Sequence, residues 1–191
     1  MGIRLIIMGP PGVGKGTQAK IIKEIYNVPH LSTGQILRNE IELESEVGMI
    51  AKNFIDDGLF VADEILIRII ENNISNPTCS NGYILDGYPR NLEQVRNLNE
   101  LLTKLDHTID YAINLIADEN ELVKRLIKRS EDSGRRDDTV EIITKRQNIY
   151  WKQTAPIIQY YKNLGVLKEV NGIGTIEEIS QNIIKAITKD V

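Results

Sequence analysis

The sequence predicts an α/β fold in which a five-stranded parallel sheet is covered by helices. Two observations carry this. Short apolar runs alternate with longer stretches of helical periodicity, and the first apolar run opens directly into a glycine-rich loop that leads into a helix.

Leu5-Ile6-Ile7-Met8 is apolar throughout, as a strand buried on both faces requires. Residues 15–26 follow as a helix, with Ala19, Ile22 and Tyr26 at helical spacing. Pro29 to Leu31 reads as a short second strand, and Ser32 or Thr33 is expected to cap a helix starting near Gly34. Two further helices are expected near 46–57 and 63–73, split by Asp57-Gly58. Tyr83-Ile84-Leu85 is a third strand ending at Asp86. A helix over 91–103 places Leu92, Val95, Leu98 and Leu102 on one face. Tyr111 to Ile116 is a fourth strand, and a helix over 119–130 follows it. The polar segment Glu131 to Asp138 reads as a loop, and a single long helix is expected over 139–162. Val166 to Val170 is the last strand and 175–188 the last helix. In such sheets ligands lie beyond the carboxyl ends of the strands. Here those ends carry Gly9, Ser32-Thr33, Asp86 and Asn171-Gly172.

The 191 residues suit one compact domain, and a composition of 41% hydrophobic and 26% charged residues is ordinary for a globular protein. A net charge of −4 gives no global field for nucleic acid, so any phosphate site must gather its cations locally. The single cysteine, Cys79, excludes an internal disulfide and a cysteine zinc site, and fits a reducing compartment. It reads as a structural thiol, and His30 and His107 read as isolated. No apolar run approaches a membrane span. Ile3 to Met8 is too short for a signal peptide, and Ile6 stands where a myristoyl acceptor pattern wants Ser or Thr. A monomeric cytoplasmic enzyme is expected.

The loop Gly9-Pro10-Pro11-Gly12-Val13-Gly14-Lys15-Gly16-Thr17 contains Gly-x-x-x-x-Gly-Lys between a strand and a helix, the setting of a P-loop nucleoside triphosphatase. Glycines let backbone N–H groups approach phosphate oxygens, the helix N-terminus adds a positive dipole, and Lys15 supplies a mobile cation. The residue after Lys15 is Gly16, with the hydroxyl one place later at Thr17. A Mg²⁺ ion carried by the nucleotide would therefore lean on phosphates, water and a carboxylate. Asp86, at the end of an apolar strand, is the candidate, acting through water.

Beyond the generic motif, Gly-x-Pro-Gly-x-Gly-Lys-Gly-Thr resembles the nucleoside monophosphate kinases, and within them the adenylate kinase family. Leu31 to Arg38 looks like that family's Ser-Thr-Gly-Asp-x-x-Arg element, Asp86-Gly87-Tyr88-Pro89-Arg90 like its Asp-Gly-Phe-Pro-Arg element, and Gly134 to Asp138 with Arg146 like its Arg-x-Asp-Asp lid element. The resemblance runs over essentially the whole chain. It implies transfer of a phosphoryl group between ATP and AMP to give two ADP. Gly12, Val13, Gly14, Lys15, Gly16 and Thr17 would hold the ATP phosphates, with Arg125 and Gly174 at the ATP base. Thr33, Val61, Gly87 and Gln94 would face the AMP base, and Arg38 and Arg90 its phosphate. Arg129, Arg135 and Arg146 would surround the group in flight, the last two also facing AMP. It also implies a core of 1–33, 64–130 and 139–191, an AMP-binding insertion over 34–63, and a short lid over 131–138 without the Cys or His of a zinc-bearing lid. Gln35 replaces the family's Asp and Tyr88 its Phe. Arg4, Arg68 and Arg96 match no element.

The nearest alternative is a UMP/CMP kinase on the same scaffold. The amide of Gln94 can donate and accept at once against adenine, whereas the pyrimidine enzymes usually carry Asn there. A small GTPase would need Asn-Lys-x-Asp, and a motor ATPase a glutamate after the strand-end Asp. The chain has neither, since Gly87 follows Asp86.

Overall fold

The computed structural model describes residues 2–133 and 139–188. Strands β1 (Arg4–Met8), β2 (His30–Ser32), β3 (Tyr83–Asp86), β4 (Tyr111–Ile116) and β5 (Leu167–Asn171) form one parallel sheet in the order β2-β3-β1-β4-β5. Strand side chains alternate between faces. Leu5 and Ile7 of β1 therefore enter one apolar cluster, and Ile6 and Met8 the cluster on the other side.

Among the described residues, nine α-helices connect and cover the strands: α1 (Lys15–Tyr26), α2 (Thr33–Glu42), α3 (Glu46–Asp56), α4 (Asp63–Ile74), α5 (Leu92–Lys104), α6 (Glu119–Ser133), α7 (Val140–Ile149), α8 (Pro156–Asn163) and α9 (Ile176–Thr188). Ile22 of α1 and Ile183 of α9 fill the core on one face, while Ile70 of α4 and Leu98 of α5 fill it on the other. Among the described residues, no helix is long and apolar enough to cross a membrane.

Several expectations need correction. Ser32 occupies the N-cap of α2 but its side chain makes no capping bond. The Thr33 hydroxyl turns instead to the carbonyls of Gly87, at 3.0 Å, and Asp86, at 3.4 Å. Leu92 is 47% exposed. The buried face of α5 is Val95, Leu98, Leu101 and Leu102, because Leu92 sits at the helix's first residue, beyond the core's edge. Helix α6 runs on through Ser133, so 131–133 are helical, while 134–138 lie outside the described residues.

The long helix expected over 139–162 is divided into α7, a π-helical turn over Tyr150–Thr154, and α8. Pro156 has no N–H to donate and its ring crowds the preceding turn. The ladder is widened there, with Ala155 N–H donating to the Tyr150 carbonyl five residues back at 2.9 Å. Tyr150 and Tyr161 are buried, while Trp151 is half exposed and stands edge-on to Tyr150, ring centres 5.1 Å apart. Cys79 is a buried free thiol.

Candidate active site

A cleft of about 810 Å³ opens at the carboxyl ends of the strands. The topology places it there. β1 lies between β3 and β4, so the loop after β1 and the strand end at Asp86 face each other across one crevice. The phosphate loop forms the floor, with Gly12, Val13, Gly14, Lys15, Gly16 and Thr17 all in the wall. The start of α1 at Lys15 has no side-chain cap, so its dipole end points into the cleft.

Lys15 Nζ donates to the carbonyls of Gly9, at 2.7 Å, and Pro10, at 3.1 Å, folding the side chain back over its own loop. Burial pulls its ammonium down to about 8. Arg90, Arg146 and Arg129 act the same way, and Asp86 opposes them. Asp86 is itself buried, which resists ionisation. A hydrogen bond from His30, the Lys15 charge and Arg90 outweigh that and hold its carboxyl below the ordinary carboxylate range.

The arginines arrive from separate elements. Arg38 comes from α2, Arg90 from the loop after β3, Arg129 from α6 and Arg146 from α7, and all line the cleft. Arg90 Nε donates to the Gly87 carbonyl at 2.6 Å, its guanidinium lies 5.0 Å from the Phe60 ring centre, and its carbonyl accepts from the Thr154 hydroxyl at 2.8 Å. Burial and the neighbouring Arg146 and Arg38 lower it to about 10 against the opposing pull of Asp86, so it stays charged at neutral pH. Gly87, at φ 81°, cannot carry a side chain, because a Cβ there would stand 2.8 Å from both the Arg90 guanidinium and the Thr33 hydroxyl. Cations gathered beside the phosphate loop suit an anionic ligand, because arginine's fork matches phosphate oxygens.

Comparison with known proteins agrees with this architecture. The adenylate kinase family model matches residues 7–166. The chain belongs to the adenylate kinase family. Among its relatives, an adenylate kinase of Leptospira biflexa is 47% identical over 184 residues, covering 96% of this chain and 99% of the relative. An adenylate kinase of Bifidobacterium longum is 46% identical over 182 residues, covering 95% and 98%. One of Nocardioides sp. is 43% identical over 185 residues, covering 97% of each.

Of the residues singled out by their adenylate kinase motifs, Thr33, Arg38, Val61, Asp86, Gly87, Arg90, Arg125, Arg129, Arg146 and Gly174 share this cleft with the phosphate loop. Arg125 bridges α6 to the end of β5, pairing with Glu121 at 2.8 Å and donating to the Gly172 carbonyl at 2.8 Å. Arg135 lies outside the described residues. Gln94 is fully buried and does not line the cleft. Its amide is engaged by the protein, donating to Asp63 Oδ1 at 2.6 Å and accepting from the Arg90 N–H at 2.7 Å. Gln35 lines the cleft but donates to Asn39 at 2.8 Å.

Sequence reasoning missed His30. It is not isolated, since its Nε2 stands 3.2 Å from Asp86 Oδ2 inside the cleft wall. The only signal was that a short strand ending in Ser-Thr carries a histidine two places earlier, on the same face.

Proposed function

We propose that the chain transfers the terminal phosphoryl group of ATP to AMP, reversibly, giving two ADP. The single observation that supports this best is the convergence of Lys15, Arg38, Arg90, Arg129 and Arg146, from five segments, on one cleft floored by the phosphate loop. One nucleotide's phosphates occupy the loop, and the other's phosphate lies by Arg38 and Arg90.

In the reaction an AMP phosphate oxygen forms a bond to the γ-phosphorus as the bond from that phosphorus to the ADP oxygen breaks. Such transfer asks the protein for positioning and charge stabilisation rather than covalent work. Lys15, Arg129 and Arg146 meet the charge on the group in flight, with Arg135 expected to join them. Arg125 and Gly174 are read as the ATP base contact. Thr33, Val61 and Gly87 are read as the AMP base contact, and Gln94 reaches that base only if its present amide bonds rearrange.

Among the described residues, no cluster of three or more His, Cys, Asp or Glu side chains could hold a metal by itself. The ionised Asp86, beside the phosphate loop, suits a Mg²⁺ that arrives on ATP and is held through water. Bound there, the ion would neutralise phosphate charge. Residues 34–63 are read as an insertion that closes over AMP and 131–138 as a short lid, together excluding water. The enzyme is read as a monomer acting on soluble nucleotides.

The test is ADP formation from Mg-ATP with AMP, CMP, UMP, GMP or dTMP as acceptor, against ATP alone. AMP is expected to be the preferred acceptor. ADP production that needs no acceptor would overturn the proposal. The UMP/CMP kinase alternative, which predicts CMP and UMP ahead of AMP, has no support among the relatives quoted above.

A further inference from the structure

We propose that Gln147 is a positioning residue for the ATP phosphates, acting through the peptide that joins Pro11 to Gly12. Helix α7 and the π-helical turn after it bury one stripe at spacings of four and three residues: Ile143, Gln147 and Tyr150, each at most 5% exposed. A glutamine in such a stripe loses its hydration, which is unfavourable unless it finds hydrogen-bond partners. Gln147 finds one, for its Nε2 donates to the Pro11 carbonyl at 3.0 Å. Its Oε1 is buried with no partner among the described residues. An apolar side chain would suit the stripe better, so packing does not explain the residue. The bond to the loop does.

The direction of that bond matters. In a trans peptide the C=O and the following N–H point opposite ways. Holding the Pro11 carbonyl toward α7 turns the Gly12 N–H the other way, and Gly12 belongs to the cleft wall. Lys15 treats the preceding carbonyls of Gly9 and Pro10 similarly. Gly12 also lies against α6, where an added Cβ would stand 2.8 Å from the Leu122 carbonyl. The loop therefore touches both α6 and α7. The residue before Gln147 is Arg146, so one helical turn sets both a cation of the cleft and the orientation of a phosphate-binding amide.

The inference rests on reading this loop as the ATP phosphate site. The experiment compares wild type with Gln147→Met, which keeps the length and removes the donor. Binding of a β,γ-imido ATP analogue and of AMP is measured by calorimetry, with the Gly12 amide ¹⁵N shift recorded in the free protein. The expected result is a Kd for the analogue about fivefold or more weaker, from loss of one oriented donor. AMP affinity should be unchanged, the Gly12 resonance displaced, and the thermal midpoint not lowered. A residue that only packs would leave the Gly12 shift and the analogue's Kd alone, which would overturn the inference. So would failure of both Gln147→Met and Gln147→Leu to fold, since that would make the side chain a pillar of the fold. Were wild type itself blind to the analogue, the phosphate-site reading would fall and this inference with it.

Discussion

His30 Nε2, at the start of β2, lies 3.2 Å from Oδ2 of Asp86, at the end of β3, with both side chains largely buried. The contact links the strand that precedes α2 to the carboxylate read as the metal's partner. Because the Asp86 carboxyl is held below its ordinary range, its charge contributes stability above the unfolded value of 3.8, and that contribution is lost as pH falls through the lower folded value. Replacing His30 by Leu removes a donor, so the Asp86 carboxyl should titrate higher and the acid edge of stability should move to higher pH. At neutral pH the loss should be about 2 kcal/mol, typical of a hydrogen bond to a charged group. Urea unfolding from pH 3 to 7, with a carboxylate ¹³C titration, reads both quantities.

Lys15 supplies a prediction with the same sign of pH slope but in an alkaline window. Its folded value of about 8 lies below the 10.5 of an unperturbed lysine, so between those pH values the unfolded chain binds more protons. This group's contribution to stability therefore rises with pH across that window. A bound triphosphate should restore the proton. ATP binding at pH 9 should then take up protons, and binding at pH 7 almost none, as calorimetry in buffers of different ionisation enthalpy would show. Lys15→Met should abolish the uptake and the turnover while leaving the circular dichroism unchanged.

Gly58 joins α3 to the segment before α4 and touches α7. At φ 66° it favours glycine, and a Cβ there would stand 2.8 Å from Ile142 Cγ2 and 3.2 Å from Arg146 Cγ. Gly58→Val should cost ~1–3 kcal/mol of strain and push residues 34–63 away from Arg146. Initial-rate kinetics should show KM for AMP raised about tenfold or more, equivalent to ~1.4 kcal/mol, with KM for ATP little changed. Equal rises in both constants would contradict this.

Gln94 joins Asp63, at the start of α4, to the Arg90 backbone. Asparagine is one methylene shorter and cannot span both partners. Gln94→Asn should lose ~1–3 kcal/mol by leaving a buried polar group unmatched, and the ratio of kcat/KM for AMP over CMP should fall. Unaltered stability would show that neither bond matters.

The strands were legible because apolar runs such as Leu5 to Met8 and Tyr111 to Ile116 are bounded by loop residues, and α1 because the phosphate loop fixes where it starts. The phosphate loop and the strand-end Asp86 were legible from local pattern, whereas Arg38, Arg90 and Arg146 were picked out only by their resemblance to adenylate kinase motifs, and the structure brings all of them to one cleft. The break at Pro156 was also written in the sequence, in a residue that cannot donate, but helical periodicity on both sides outweighed it in the reading.

Tertiary structure decided what depends on neighbours distant in sequence. His30 meets Asp86 only because β2 pairs with β3, and a period of two says which face a side chain takes but not which strand lies beside it. Thr33 stands as the first residue of α2 and not as its cap, and its hydroxyl donates to the Gly87 and Asp86 carbonyls that the fold brings beside it. Gln94 turned inward because Asp63 and the Arg90 N–H satisfied its amide. Gln147 gained its partner 136 residues away. Local order is set by the preferences of each segment along the chain. Which polar groups satisfy one another is set by packing, because a buried donor must bond whatever acceptor the fold delivers.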